Sequence, residues 1–184
     1  MNIQDVEYGN ALQVASWKGH VVIVSFLVEN GADVNTQGGY FGNAIQAASL
    51  NGQEAIVGLL LENGADVNAH GGHHGNALQA ASLEGHEAIV GLLLENGADV
   101  NAQGGCLGNA LHAASLKGHE AIVGLLLVNG ADVNAHGGKY GNALQAASLI
   151  GHEAIVGFLL ENGADVNAQG GEYGNALQAA SLEP

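Results

Sequence analysis

The sequence repeats itself with a fixed period. The triplet Gly-Asn-Ala starts at Gly9, Gly75, Gly108, Gly141 and Gly174, and Gly42-Asn43-Ala44 completes the series at a constant 33-residue spacing, with no insertion or deletion. A constant period of this length is the signature of a stacked array, because each unit is one supersecondary element that cannot bury its apolar face alone. The chain is therefore read as one quasi-one-dimensional array over residues 1–184. Full repeats span about 9–41, 42–74, 75–107, 108–140 and 141–173, and a partial repeat spans 174–184.

The third unit shows the local logic. Asn76 is a strong N-cap, since its side-chain oxygen can accept from the unpaired amides of a first helical turn. Leu78 with Ala77, Ala80 and Ala81 predicts a short helix that packs closely on its neighbours, and Gly85 ends it. A second helix is predicted over Glu87–Glu95, with Ile89, Val90, Leu92, Leu93 and Leu94 as a wide apolar stripe. Glu87 lies in its first turn, where the helix dipole favours an anion. Asn96-Gly97 closes it, and Gly104-Gly105 marks a turn. The predicted fold is all-α: stacked helix–turn–helix units with projecting β-turns. Leu12, Ile45, Leu78, Leu111, Leu144 and Leu177 form one column expected to be buried by stacking, each contributing about 1.5–3 kcal/mol.

Gly85-His86, Ile89-Val90 with Leu92-Leu93-Leu94, and Gly97-Ala98-Asp99-Val100-Asn101-Ala102 resemble the ankyrin repeat, and the likeness covers nearly the whole chain. It implies an ankyrin-repeat solenoid that binds proteins. The departure lies where the family has Thr-Pro-Leu-His. Here the chain reads Asn76-Ala77-Leu78-Gln79, and Asn109 to His112 in the fourth unit. The proline favoured at the first helical position is lost, and an Asn–Gln hydrogen bond is expected in place of the family's Thr–His one. The variant motif Gly-Gly-x-x-Gly-Asn-Ala-Leu-Gln is similar to arrays in fungal NACHT-type signalling proteins. An engineered, consensus-like array is the alternative origin.

Composition excludes several functions. Net charge is −15, from 18 acidic residues against Lys18, Lys117 and Lys139 with no arginine. Nucleic-acid binding needs a basic footprint, and so does an anionic membrane surface. Neither partner is expected. Thirteen of the acidic residues sit in repeating columns, so capping and solubility explain them before function does. Cys106 is the only cysteine, which forbids an intrachain disulfide and fits a reducing compartment. The first ten residues lack the basic and apolar regions of a secretory leader, so an intracellular, cytoplasmic location is expected.

In an array, repeating positions carry the fold and varying positions carry identity. Two pairs vary most. The turn tips read Glu7-Tyr8, Tyr40-Phe41, His73-His74, Cys106-Leu107, Lys139-Tyr140 and Glu172-Tyr173. The first-helix ends include Trp17-Lys18, Asn51, Glu84, Lys117, Ile150 and Leu182-Glu183. In the proteins this chain resembles, these positions line a concave groove. Aromatic residues dominate binding hot spots, so the expected partner contacts are Tyr40, Phe41, His73, His74, Leu107, Tyr140 and Tyr173. Asn51, Glu84 and Lys117 are the expected polar readers. The competing reading packs the tip aromatics against one another, and both can hold together.

No catalytic residue, cofactor or metal is expected. The chain has no phosphate-binding loop, no Gly-x-Ser-x-Gly and no His-Glu-x-x-His. His73, His74 and Cys106 are ligand types for zinc without a supporting arrangement. The histidines after glycine (His20, His86, His119, His152) are expected to hydrogen-bond backbone. The first unit is the most divergent, with Val21-Val22 where later units have Glu-Ala. The sixth stops at Ser181-Leu182-Glu183-Pro184, which predicts a longer parent protein or an adhesive end. The principal expectation is thus a protein-binding module. The alternative is a scaffold that self-associates through the incomplete sixth unit, and a small-molecule or enzymatic role ranks last.

Overall fold

The computed structural model describes residues 9–181; the lead-in with Glu7 and Tyr8, and the end with Leu182 and Glu183, lie outside the described residues. The described residues form eleven helices and no extended strand. They are α1 (Ala11–Lys18), α2 (Val21–Glu29), α3 (Ala44–Leu50), α4 (Glu54–Glu62), α5 (Ala77–Glu84), α6 (Glu87–Glu95), α7 (Ala110–Lys117), α8 (Glu120–Val128), α9 (Ala143–Ile150), α10 (Glu153–Glu161) and α11 (Ala176–Ala180). Two compact units divide the chain, one ending at Asp99 and the other starting at Val100.

The odd-numbered helices start at asparagine for a visible reason. Asn76 is extended (φ −132°, ψ 177°), and its side chain accepts from the Gln79 amide at 2.8 Å. The Asn76 amide in turn donates to Gln79 Oε1 at 2.8 Å. This reciprocal capping box satisfies two amides that the helix leaves unpaired. It recurs at Asn10–Gln13, Asn43–Gln46, Asn142–Gln145 and Asn175–Gln178, so the expected Asn–Gln bond is present. Asn109 accepts from the His112 amide at 2.9 Å, without the reciprocal bond. Left-handed glycines such as Gly85 (φ 82°) end α1, α5, α7 and α9.

In the first unit α1, α3 and α5 pack side by side, with α2, α4 and α6 as an outer layer. In the second unit α7, α9 and α11 do the same, backed by α8 and α10. The inner helices touch more closely, as suits buried faces made largely of alanine, such as Ala44, Ala47, Ala48, Ala77, Ala80 and Ala81. Ile45, Ile56, Leu60, Leu78, Ile89 and Leu93 are fully buried in the first unit, and Leu111, Ile122, Leu126, Leu144, Ile155 and Leu159 in the second. The second-helix stripe is narrower than expected: Leu92 and Leu94 stay half-exposed beside buried Ile89, Val90 and Leu93.

One member of the leucine column departs from expectation. Leu177 is 78% exposed, whereas Leu12, Ile45, Leu78, Leu111 and Leu144 are buried. Among the described residues α11 is followed by neither a paired second helix nor a further repeat that could cover it.

Three hydrogen-bond series join consecutive repeats. Each turn closes on itself, as where the Gly71 amide donates to the Gly75 carbonyl at 2.8 Å. The capping glutamine of the same repeat then plugs it and reaches the start of the next: Gln46 Nε2 donates to the carbonyls of Ala69 (3.0 Å) and Gly75 (2.8 Å). Gln145 does the same to Ala168 and Gly174. Asparagines in the loops form the second series. Asn68 Nδ2 donates to Gly97 O at 3.0 Å while its Oδ1 accepts from the Asp99 amide at 2.8 Å. Asn35, Asn101 and Asn134 repeat this bridge. The third comes from the turn histidines: His86 Nε2 meets Leu50 O, and His152 Nε2 meets Leu116 O, both at 3.2 Å. Between tips the backbones nearly touch. A Cβ on Gly72 (φ +63°) would lie 2.6 Å from the Gly42 nitrogen, so only glycine fits there.

Candidate functional site

The variable residues of the first unit form a ladder of rings. Trp17, at the end of α1, meets the buried ring of Phe41 at 5.3 Å between centroids. Phe41 meets Tyr40 edge-on at 5.5 Å, and Tyr40 stacks on His73 at 5.3 Å with the rings 14° apart. His74 stands edge-on to both Tyr40 (5.6 Å) and His73 (5.0 Å). The Tyr40 hydroxyl and His74 Nε2 are 3.2 Å apart, and the His73 amide donates to the Tyr40 carbonyl at 3.0 Å. Lys18 Nζ lies 4.2 Å above the Trp17 ring. Burial pushes His74 below the usual histidine value, and the His73 charge adds to this, while Glu84 pulls the other way.

The two residues of a tip play different parts. Tyr40 is 46% exposed and His73 is exposed, but Phe41 is only 6% exposed. Phe41 thus offers a partner little surface; it fixes Trp17 and Tyr40 from below. Among the polar readers, Glu84 is exposed, and Asn51 Nδ2 donates to the Trp17 carbonyl at 2.8 Å. Trp17 and Lys18 extend the ladder, and their place at a first-helix end was the sequence signal for them.

The second unit carries a smaller version. Tyr140 stacks on Tyr173 at 6.4 Å, 21° from parallel. Lys139 Nζ is 3.2 Å from Glu172 Oε2 and 5.6 Å from the Tyr140 ring. Leu107 is half-exposed at its tip, and Cys106 and Lys117 are exposed. So the tip-to-tip packing is real in both units, and it leaves one face of each stack open. Leu83 is buried and Leu50, Leu116 and Leu149 are half-buried, as suits packing between repeats.

Little else in the described residues is shaped for chemistry. No group of three or more His, Cys, Asp or Glu is placed to hold a metal ion, and no helix is long and apolar enough to cross a membrane. A shallow cleft of about 440 Å³ lies away from the tips, between α8 and α10, lined by Glu120, Ala121, Gly124, Ala154, Ile155 and Phe158.

Short helix pairs joined by plugged turns, with variable residues gathered on tips and first-helix ends, define a helical-repeat binding scaffold. Family models describe the same chain: ankyrin repeats (3 copies) match residues 38–104 and 105–170, and ankyrin repeats (many copies) match residues 11–61. The crystal structure of the human ASB11 ankyrin repeat domain is similar, with a TM-score of 0.82 and 31% sequence identity, over 95% of this chain and 78% of that one. No curated protein matches the chain. The chain belongs to the ankyrin-repeat family, whose members are generally protein–protein interaction modules rather than enzymes.

Proposed function

We propose that the chain captures a protein partner on its turn tips and first-helix ends, the concave side of the ankyrin fold. In the first unit the contacts are Tyr40, His73 and His74, with Asn51 and Glu84 at the edge and Phe41 as their support. In the second they are Leu107, Tyr140 and Tyr173, with Lys117. The ring ladder carries this reading. Tyr40 is held on one side by Phe41 and His73 yet keeps 46% of its surface in solvent. An aromatic side chain fixed before binding loses little rotamer freedom when a partner arrives.

The test is affinity capture from a cell lysate with the native chain and with a variant in which Tyr40, His73, His74, Tyr140 and Tyr173 are serine. Phe41 stays, so the fold is preserved, and circular dichroism checks this. A protein retained by the native chain and lost by the variant is the expected result. Equal retention by both refutes the reading.

A second reading, self-association through the partial sixth repeat, draws on the 78% exposure of Leu177. It predicts that Leu177→Gln lowers the mass seen by light scattering at high concentration.

A further inference from the structure

The helix α2 carries the densest apolar surface among the outer helices. Val21 is 40% exposed, Val22 67%, Ile23 49% and Phe26 61%. Two of these follow from position in the stack. Ile23 shares its column with Ile56, Ile89, Ile122 and Ile155, which are buried, and Phe26 shares its column with Phe158, whose ring faces Gly124 of the preceding repeat. A helix stacked before α2 would cover both.

Val21 and Val22 do not follow from that logic. Their columns read Glu54-Ala55, Glu87-Ala88, Glu120-Ala121 and Glu153-Ala154 in the other repeats, and all eight residues are exposed. Stacking leaves these columns in solvent. Yet in α2 alone they hold two β-branched apolar residues, at a site where the rest of the array places a carboxylate. Val22, Phe26 and Glu29 lie on one line of the helix surface, at i, i+4 and i+7.

The charges around the patch narrow what can cover it. Among the described second helices only α2 lacks an acid in its first turn; α4, α6 and α10 carry glutamate at both ends. At the start of α2 stands exposed His20, beside amides that no side chain caps. At its end stands Glu29, held by the Ser25 hydroxyl at 2.8 Å. Two such helices laid antiparallel would set the positive start of each against the glutamate of the other, with the valines and phenylalanines between. Every α4-like face would instead bring glutamates together, in a chain of net charge −15.

We infer that α2 is a homotypic contact surface, on which a second copy of this chain docks as an antiparallel, two-fold pair through Val21, Val22, Ile23 and Phe26. The patch is the size of ordinary exposed apolar patches, a few hundred Å². Both sides together fall below the roughly 1,200–2,000 Å² of a stable interface. The dimer is therefore weak and rises with concentration.

The experiment is sedimentation equilibrium of the full chain from low micromolar to near-millimolar concentration. It compares the native chain with Val21→Glu/Val22→Ala/Phe26→Leu, which gives α2 the side chains that α4 and α6 already carry at those positions. This variant keeps the fold, as circular dichroism should show. The native mass is expected to climb toward twice the monomer, and the association constant to fall at least tenfold in the variant. Leu177→Gln is expected to leave association unchanged. A native chain that stays monomeric throughout overturns the inference. In that case amide exchange in α2 as slow as in α4 would assign the cover to residues 1–8, and fast exchange would assign it to a different protein. Association lost in Leu177→Gln but kept in the α2 variant also overturns it, in favour of an end-to-end contact.

Discussion

Replacing His112 with glutamine should stabilise the protein, most of all in acid. At the same position the other repeats hold glutamine; Gln46, for one, accepts from the Asn43 amide and donates to three carbonyls of the turn that follows. His112 keeps only part of this. Its Nε2 reaches Ala135 O at 2.8 Å, but its Nδ1 is buried without a hydrogen bond, and Asn109 lacks the reciprocal cap. One regained hydrogen bond contributes about 0.5–1.5 kcal/mol, and removing a buried unsatisfied nitrogen about as much again. His112→Gln should therefore gain about 1–3 kcal/mol at neutral pH, or about 2–12 °C in Tm at this chain length. Acid enlarges the gain. Burial pushes His112 below the ordinary histidine value, with the Ala135 and Leu107 carbonyls offsetting part of the effect and His136 adding to it. The unfolded chain then binds the proton more readily than the folded one. Stability is lost as pH falls through the unfolded value, about 6.5. Urea unfolding at neutral pH and at about pH 5.5 measures both effects. A variant no more stable than the native chain, or one that loses as much stability on acidification, would refute the reasoning.

Two further predictions use the same unfolding assay. Gly91 sits inside α6 with nothing within 4 Å of an added Cβ, so Gly91→Ala should gain about 0.5–1 kcal/mol; a loss would mean the open space is filled by something unseen. Asn68→Ala removes both bonds of one loop bridge and should cost about 1–3 kcal/mol; a cost near zero would show that water replaces the bridge.

The period, the caps and the glycine turns were legible because each is local. Asn76 and Gln79 lie one helical turn apart, so their pairing follows from spacing alone. What the glutamine does beyond its own helix was not legible, since Gln46 Nε2 reaches carbonyls 23 and 29 residues away. The bridging role of Asn68 was hidden for the same reason, although its recurrence in Asp-Val-Asn was in plain view. Treating a column as uniform also misled: Leu177 shares its letter with Leu144 but not its covering helix. At the tips, sequence variation found the right residues but could not divide them. Phe41 and Tyr40 look alike as aromatic neighbours, and only the third dimension sends one inward and leaves the other in solvent.

The plugged turns have a consequence for how such a chain changes over generations. Gln13 and Gln46 each fill the turn that leads from their own repeat into the following one, and Gln145 does the same in the second unit. Plug and socket are thus the same shape at each of these joints. A duplication or loss of a whole 33-residue repeat at one of these glutamine joints rejoins a plug to a socket it already fits. Length can then drift at these joints while the tip side chains, which form no part of the glutamine plug, change separately.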